Sequence, residues 1–399
     1  MDIFSMVESH KKEMISTMKD MIAIQSISPE SGGHGESKRA DFLEGFLHEN
    51  GIKTKRFDYF DKTKTKRSNI VSTMGKKEKT LWIISHIDTV AAGDLSLWKH
   101  NPFDVIEKDG KLYGRGTSDN GQGVISAIFA FKALKELDAE LKYNIGIALV
   151  ADEEVGSEYG VKALMKEGIF KANDMAIVPD WGTEKGDRIE VAEKGVLWLE
   201  FKVKGKQVHA STPQLGINAY RASILLLSKL DFELHKKFNK SDALFEPKIS
   251  TFEMTKHLAN VDSVNIVPGS ETFYIDCRVL PSYKLDNVLA SVKKIANEVE
   301  KSTKAHISFS IFNREDPAKP TKVDSPVVKD LMASIYAVNK IKTKFVGIGG
   351  GTVAKHFRDK SMDVAVWATL PDNAHQPNEY NNIKDMINDT KVFANMFVA

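Results

Sequence analysis

The chain has 399 residues, 42% of them hydrophobic and 28% charged, which is the make-up of an ordinary globular protein with room for two domains. Fifty-six basic side chains against 54 acidic ones leave a formal charge of +2, so the electrostatic footprint of a binder of nucleic acid or anionic membrane is excluded. A single cysteine, Cys277, excludes an intrachain disulfide and leaves any zinc site to histidines and carboxylates.

In chain order, Phe4, Val7, Met14, Met18, Met21 and Ile22 recur at helical spacing and predict one amphipathic N-terminal helix rather than a secretory signal. No stretch approaches the ~20 apolar residues of a membrane span, and a cytoplasmic protein is expected. Ser37–Asn50 reads as a helix, and the basic cluster Lys62–Arg67 as a solvated loop. Strands follow at Asn69–Met74, Leu81–Ser85, Asn144–Val150 and Met175–Val178, with helices at Gly121–Glu136 and Gly160–Glu167 between and after them. This alternation predicts an α/β layer fold on a mostly parallel sheet, in which ligands bind at the carboxyl ends of the strands.

From about Arg188 the texture changes. Ile189–Glu193 and Val196–Val203 alternate like half-buried strands, Asn218–Lys237 is helical, and Ile249–Met254 and Thr272–Leu280 are strands, with Cys277 a small core residue of the latter. Leu285, Val288, Leu289, Val292, Ile295, Ala296 and Val299 mark one helical face, and Ala305–Phe312 is a final strand. These elements form a compact α+β module (188–309) inserted in a discontinuous first domain (1–187 and 310–399), which closes with a helix on Ile383, Met386, Ile387, Thr390, Ala394 and Phe397.

The chemistry-bearing residues stand at strand ends. His86 and Asp88 close the run Trp82–Asp88, Asp119 sits in Gly114-Arg-Gly-Thr-Ser-Asp, Glu153 and Glu154 follow the third strand, Asp180 follows the fourth, and His375 comes near the end. Each of these fragments alone is usually a turn or a solvated surface feature. In order, each beside an apolar strand, they predict a two-metal site and therefore a hydrolase. Two ions ~3.5–4 Å apart need a bridging carboxylate, and Asp119, in a glycine-flanked loop before a helix, is the natural one. Asp88 could orient the His86 ring. Glu153 and Glu154, pointing oppositely in an extended segment, could divide the work of general base and ligand.

Four passages, Ser85-His-Ile-Asp-Thr-Val, Tyr113-Gly-Arg-Gly-Thr-Ser-Asp-Asn, Ala151-Asp-Glu-Glu-Val-Gly-Ser and Asp372-Asn-Ala-His-Gln-Pro-Asn-Glu-Tyr, resemble the zinc aminoacylase and carboxypeptidase family. That family includes acetylornithine deacetylase, succinyl-diaminopimelate desuccinylase, carboxypeptidase G and cytosolic dipeptidases. The resemblance implies that His86, Asp119 and Asp180 hold one zinc and Asp119, Glu154 and His375 the other, with Asp88 supporting His86, Glu153 shuttling the proton and a cis peptide bond at Asp119–Asn120. It also implies that His209, in Lys204-Gly-Lys-Gln-Val-His-Ala-Ser, polarises the scissile carbonyl from a partner subunit, which makes a homodimer the expected assembly.

Further matching positions are Asn265, Arg278, which could grip a substrate carboxylate with its fork of donors, and the loop Gly350, Gly351 and Thr352, an anion seat before a helix near Val353. Asn120-Gly-Gln-Gly stands where the family usually has Met-Lys-Gly-Gly after the aspartate. The fifth ligand is Asp180; there a glutamate goes more often with deacylases and an aspartate with peptidases. Two Zn2+ per subunit are expected, with Co2+ or Mn2+ fitting the same donors. The implied activity is hydrolysis of an N-acyl amino acid, with a metallo-dipeptidase or carboxypeptidase as the alternative. A non-catalytic protein on this fold would be favoured by loss of a ligand or of Glu153, and none is missing.

Overall fold

A computed structural model describes residues 1–398; Ala399, the last residue of the expected first domain, lies outside the described residues. The chain divides into two compact units, Met1–Val191 with Thr321–Val346 and Thr352–Ala399, and Ala192–Pro320 with Gly347–Gly351.

The first unit is built on an eight-stranded sheet, in the order Lys55–Phe60, Lys66–Met74, Asn144–Val150, Thr80–His86, Met175–Val178, Asp363–Val366, Arg188–Glu193, Lys344–Ile348. Its four central strands run parallel: Thr80–His86 pairs with both Asn144–Val150 and Met175–Val178, and Asp363–Val366 pairs with Met175–Val178. The flanking pairs next to Lys66–Met74 are antiparallel. Thr80–His86 is buried at every residue, which a strand covered on both faces requires and which explains its unbroken apolar text. Helix Gly123–Glu136, buried continuously from Gly123 to Leu134, packs against the closing helix Ile383–Asn395. A helix apolar all round belongs in the interior.

The parallel strands end together. Thr80–His86 delivers His86, Asn144–Val150 leads into Glu153 and Glu154, and Met175–Val178 leads into Asp180. The sheet therefore places all four at one rim, as in any open parallel sheet whose loops leave from the carboxyl ends.

Some elements depart from the sequence pattern. The N-terminal helix is two, Ile3–Ser9 and Lys11–Ala23, meeting at His10. His10 is tied to Glu13 and Glu136, contacts that no helical periodicity reveals. Lys62–Arg67 is not wholly a solvated loop: Lys66–Met74 is a strand and Arg67 is fully buried in it. Strand Lys55–Phe60 and the ribbon formed by Ile106–Lys108, Lys111–Tyr113 and Tyr380–Asn382 were not marked by hydrophobic alternation.

The second unit is a four-stranded antiparallel sheet, ordered Thr251–His257, Ser270–Val279, Gly195–Lys204, His306–Glu315. Alternate residues of Ser270–Val279 are buried, the signature of a sheet covered on one face. Leu197, Leu199, Phe201, Phe273, Ile275 and Cys277 pack there with Leu226 and Leu230 of helix Ala219–Lys237 and with Val288 and Val292 of helix Leu285–Thr303. Among the described residues no helix is long and apolar enough to cross a membrane.

Candidate metal centre

Asp119 is the hub. Its Oδ1 lies 2.9 Å from His86 Nε2 and its Oδ2 lies 3.0 Å from His375 Nε2. Asp180 Oδ1 is 3.1 Å from the same His86 nitrogen, and Glu154 Oε2 is 3.1 Å from the same His375 nitrogen. Two groups result, His86–Asp119–Asp180 and Asp119–Glu154–His375, each with its donor atoms within 4.8 Å of one another.

The backbone is shaped to present Asp119. Gly116 turns left-handed (φ 84°), Asp119 and Asn120 are non-helical, and the peptide between them is cis. Asn120 Nδ2 donates to the Pro179 carbonyl at 3.0 Å and to Asp180 Oδ1, so one amide ties the Asp119 loop to the Asp180 loop. Gly123 must be glycine here, because a Cβ would fall 2.0 Å from Asn120 Oδ1.

Asp88 meets the other ring nitrogen of His86 chiefly through its backbone. The His86 Nδ1 sits 3.0 Å from the Asp88 backbone carbonyl and 3.6 Å from its carboxylate. The carboxylate instead accepts from the backbone amides of Glu153 (3.1 Å) and Glu154 (3.2 Å). Glu153 and Glu154 are not extended: Asp152 is left-handed (φ 67°) and Glu153–Val155 is a single 3-10 turn. That turn still separates the two side chains, since only Glu154 meets His375.

Electrostatics mark the site as short of positive charge. Burial opposes charging of His86, yet Asp180, Asp119 and Asp88 outweigh it and hold the ring protonated well above its usual range. Hydrogen bonds donated to the carboxylates of Asp119 and Glu154 raise His375 to about 10. Burial, then the charge of Asp180, pushes Glu153 well above the usual carboxylate range, and burial with Asp119 raises Glu154. Five carboxylates crowd two imidazoles, and Glu154 Oε1 is buried with no hydrogen-bond partner. Such a set of oxygen and imidazole donors fits divalent cations of the zinc type.

Sequence reasoning missed Glu379. Fully buried, it accepts from the amides of Ser118 (2.9 Å) and Asp119 (3.0 Å) on Oε1, and from Gly116 N (2.9 Å) and Arg115 Nη1 (2.7 Å) on Oε2. Its signals were its place four residues after His375 and its presence in the passage Asp372–Tyr380.

The remaining candidates belong to the second unit, except Thr352. His209 is exposed, with Nδ1 2.7 Å from Ser211 Oγ, on a two-residue ribbon with Ile266–Val267. Asn265 is beside it, its carbonyl accepting from Ala210 N at 2.8 Å. Arg278 is held bidentately by Asp276 (2.7 and 2.9 Å) and donates to the Gly349 carbonyl at 2.9 Å, so its fork already has an internal carboxylate. Gly350 and Gly351 follow Gly349 directly, and Thr352 Oγ1 accepts from Ala354 N at the start of helix Ala354–Asp359.

Comparison with known proteins finds a family and relatives for this chain. The model of peptidase family M20/M25/M40 matches residues 82–399. An uncharacterized metallohydrolase of Methanocaldococcus jannaschii is 39% identical over 96% of this chain and 98% of its own length. A succinyl-diaminopimelate desuccinylase of Rickettsia bellii is 26% identical, covering 92% of each. Among solved structures, an M20 family metallo-carboxypeptidase from Sulfolobus solfataricus has the same fold, with a TM-score of 0.76, 22% identity, and coverage of 96% of this chain and 98% of that one.

Proposed function

The chain belongs to peptidase family M20/M25/M40, and from that premise we propose that this metallohydrolase cleaves the amide bond of N-acyl amino acids. His86, Asp119 and Asp180 hold one cation, and Asp119, Glu154 and His375 the second, with zinc the native ion and Co2+ or Mn2+ able to replace it. The observation that carries this reading is the split of one carboxylate between two histidines, Asp119 Oδ1 toward His86 and Oδ2 toward His375. Bound there, the ions supply Lewis acidity and make water a competent nucleophile near neutral pH.

The chain's own residues do the rest. Glu153 takes a proton from the attacking water as the oxygen bonds to the carbonyl carbon, then delivers it to the amine as the C–N bond breaks. His209, offered across a homodimer, polarises the carbonyl. Asn265 and the loop Gly350–Thr352 hold the carboxylate end of the substrate, and Arg278 joins them by exchanging its internal partner Asp276 for the substrate. The inserted module acts as lid and dimerisation domain, and the enzyme works in the cytoplasm, where its one buried cysteine stays reduced.

The desuccinylase relative supports the deacylase reading. Asp180 favours the second reading, a dipeptidase or carboxypeptidase. A panel of N-acetyl and N-succinyl amino acids against free dipeptides separates them: turnover of dipeptides alone sinks the deacylase. Glu153→Ala is expected to keep its metal while losing turnover by about 10²-fold or more. Wild-type rates in that variant would remove Glu153 from the mechanism.

A further inference from the structure

Arg67 is fully buried, in a segment whose text (Lys62-Thr-Lys-Thr-Lys-Arg) is that of a surface. Its Nε lies 3.0 and 3.1 Å from the two oxygens of buried Glu36, and Glu36 also accepts from Ser68 N. Its Nη1 lies 3.1 Å from Asp152 Oδ1. A buried charge is retained only where it is paired, and here the pairing leads to the residue just before Glu153.

Asp152 is where the chain turns left-handed, a conformation that a non-glycine residue keeps only where its surroundings fix it. The fixing contacts are specific. Asp152 Oδ2 accepts from Tyr159 N at 2.9 Å, and Asp152 O accepts from Ser157 N at 2.6 Å. Asn69, two residues after Arg67 on the same strand face, accepts from Ala151 N at 2.9 Å and donates to Tyr159 O at 2.9 Å. The strand Lys66–Met74 thus grips both ends of the segment 151–159, while Asp88 holds its middle through the amides of Glu153 and Glu154.

We propose that Arg67, acting through Asp152, is a positioning residue that sets the turn from which Glu154 reaches the second cation and Glu153 the reacting water. The proposal rests on the roles given to these two glutamates above. It is independent of which substrate is cleaved, because metal binding reads it separately.

The test uses the full chain stripped of metal and titrated with Zn2+ against a chromophoric competitor. Arg67→Met and Asp152→Asn are each expected to weaken the site containing Glu154 about 10-fold, within the range for groups that orient ligands, and to leave the His86–Asp180 site at its wild-type affinity. With saturating Zn2+, kcat on whichever amide substrate is turned over should fall 10- to 100-fold with KM within about 2-fold. Arg67→Lys should recover part of both losses. If Arg67 acts through Asp152, the double variant is no worse than the poorer single one. Asp152→Asn keeps a residue that tolerates the left-handed turn, so it stays informative should Arg67→Met not fold. Wild-type Zn2+ affinity and kcat in folded Asp152→Asn, equal weakening of both zinc sites, or additive losses in the double variant would overturn the proposal.

Discussion

His86 and His375 are each pressed against two carboxylates and retain a proton far above the usual imidazole range. An imidazole must be neutral to ligate. Cation binding near pH 7 is therefore expected to expel at least the two imidazole protons. Calorimetric titration in buffers of different ionisation enthalpy measures that number, and a value near zero would mean the rings are already neutral. The sign is fixed by the direction of the shifts. Each imidazole binds its proton below its raised pKa, so apparent metal affinity climbs as pH rises from 6 toward the value of about 10 held by His375, and weakens on acidification.

At the scale of elements, the site is a set of loops fastened to one another, and Glu379 is the chief fastener between the loop 115–119 and the segment that carries His375. Replacing it with Gln places an amide NH2 against either two backbone N–H groups or a backbone N–H and Arg115. It also leaves the buried guanidinium of Arg115 unpaired. Breaking a buried pair of this kind costs on the order of 3–5 kcal/mol, so Glu379→Gln should lower the urea midpoint of the zinc-loaded protein markedly. An unchanged midpoint would show that Glu379 is dispensable.

Much of this level was legible in the text. Asn144–Val150 and Met175–Val178 have the bounds that their apolar runs suggest, and His86, Glu154 and Asp180 stand at or just after the ends of parallel strands, because an apolar run followed by polar residues marks both, whereas Asp119 and His375 lie in loops that no such run marks. What stayed hidden is what periodicity cannot encode. Arg67 and Glu379 look like surface residues, and their burial depends on partners 31 and more residues away in sequence. The role of the Asp88 carboxylate could not be read either, since a backbone amide of the right geometry leaves no mark in the sequence.

At the scale of the whole molecule, each unit has its own apolar core, while the two ligand groups lie entirely in the first. Removing metal by chelation should lower the thermal midpoint by mass action. It should also speed amide hydrogen exchange in 152–159 and 372–379, and leave the sheet containing Ser270–Val279 as protected as before. Equal deprotection of both units would show that the cations support the second core as well.

One group of donors, His86, Asp119 and Asp180, has been synthesised by residue 180, whereas the other waits for His375. The strand Asp363–Val366, which extends the parallel core beside Met175–Val178, likewise lies far beyond residue 180 in the chain. A nascent chain can therefore neither finish its central sheet nor complete the second donor group before His375 has been made. The two donor groups are thus completed far apart in synthesis, at residue 180 and at residue 375.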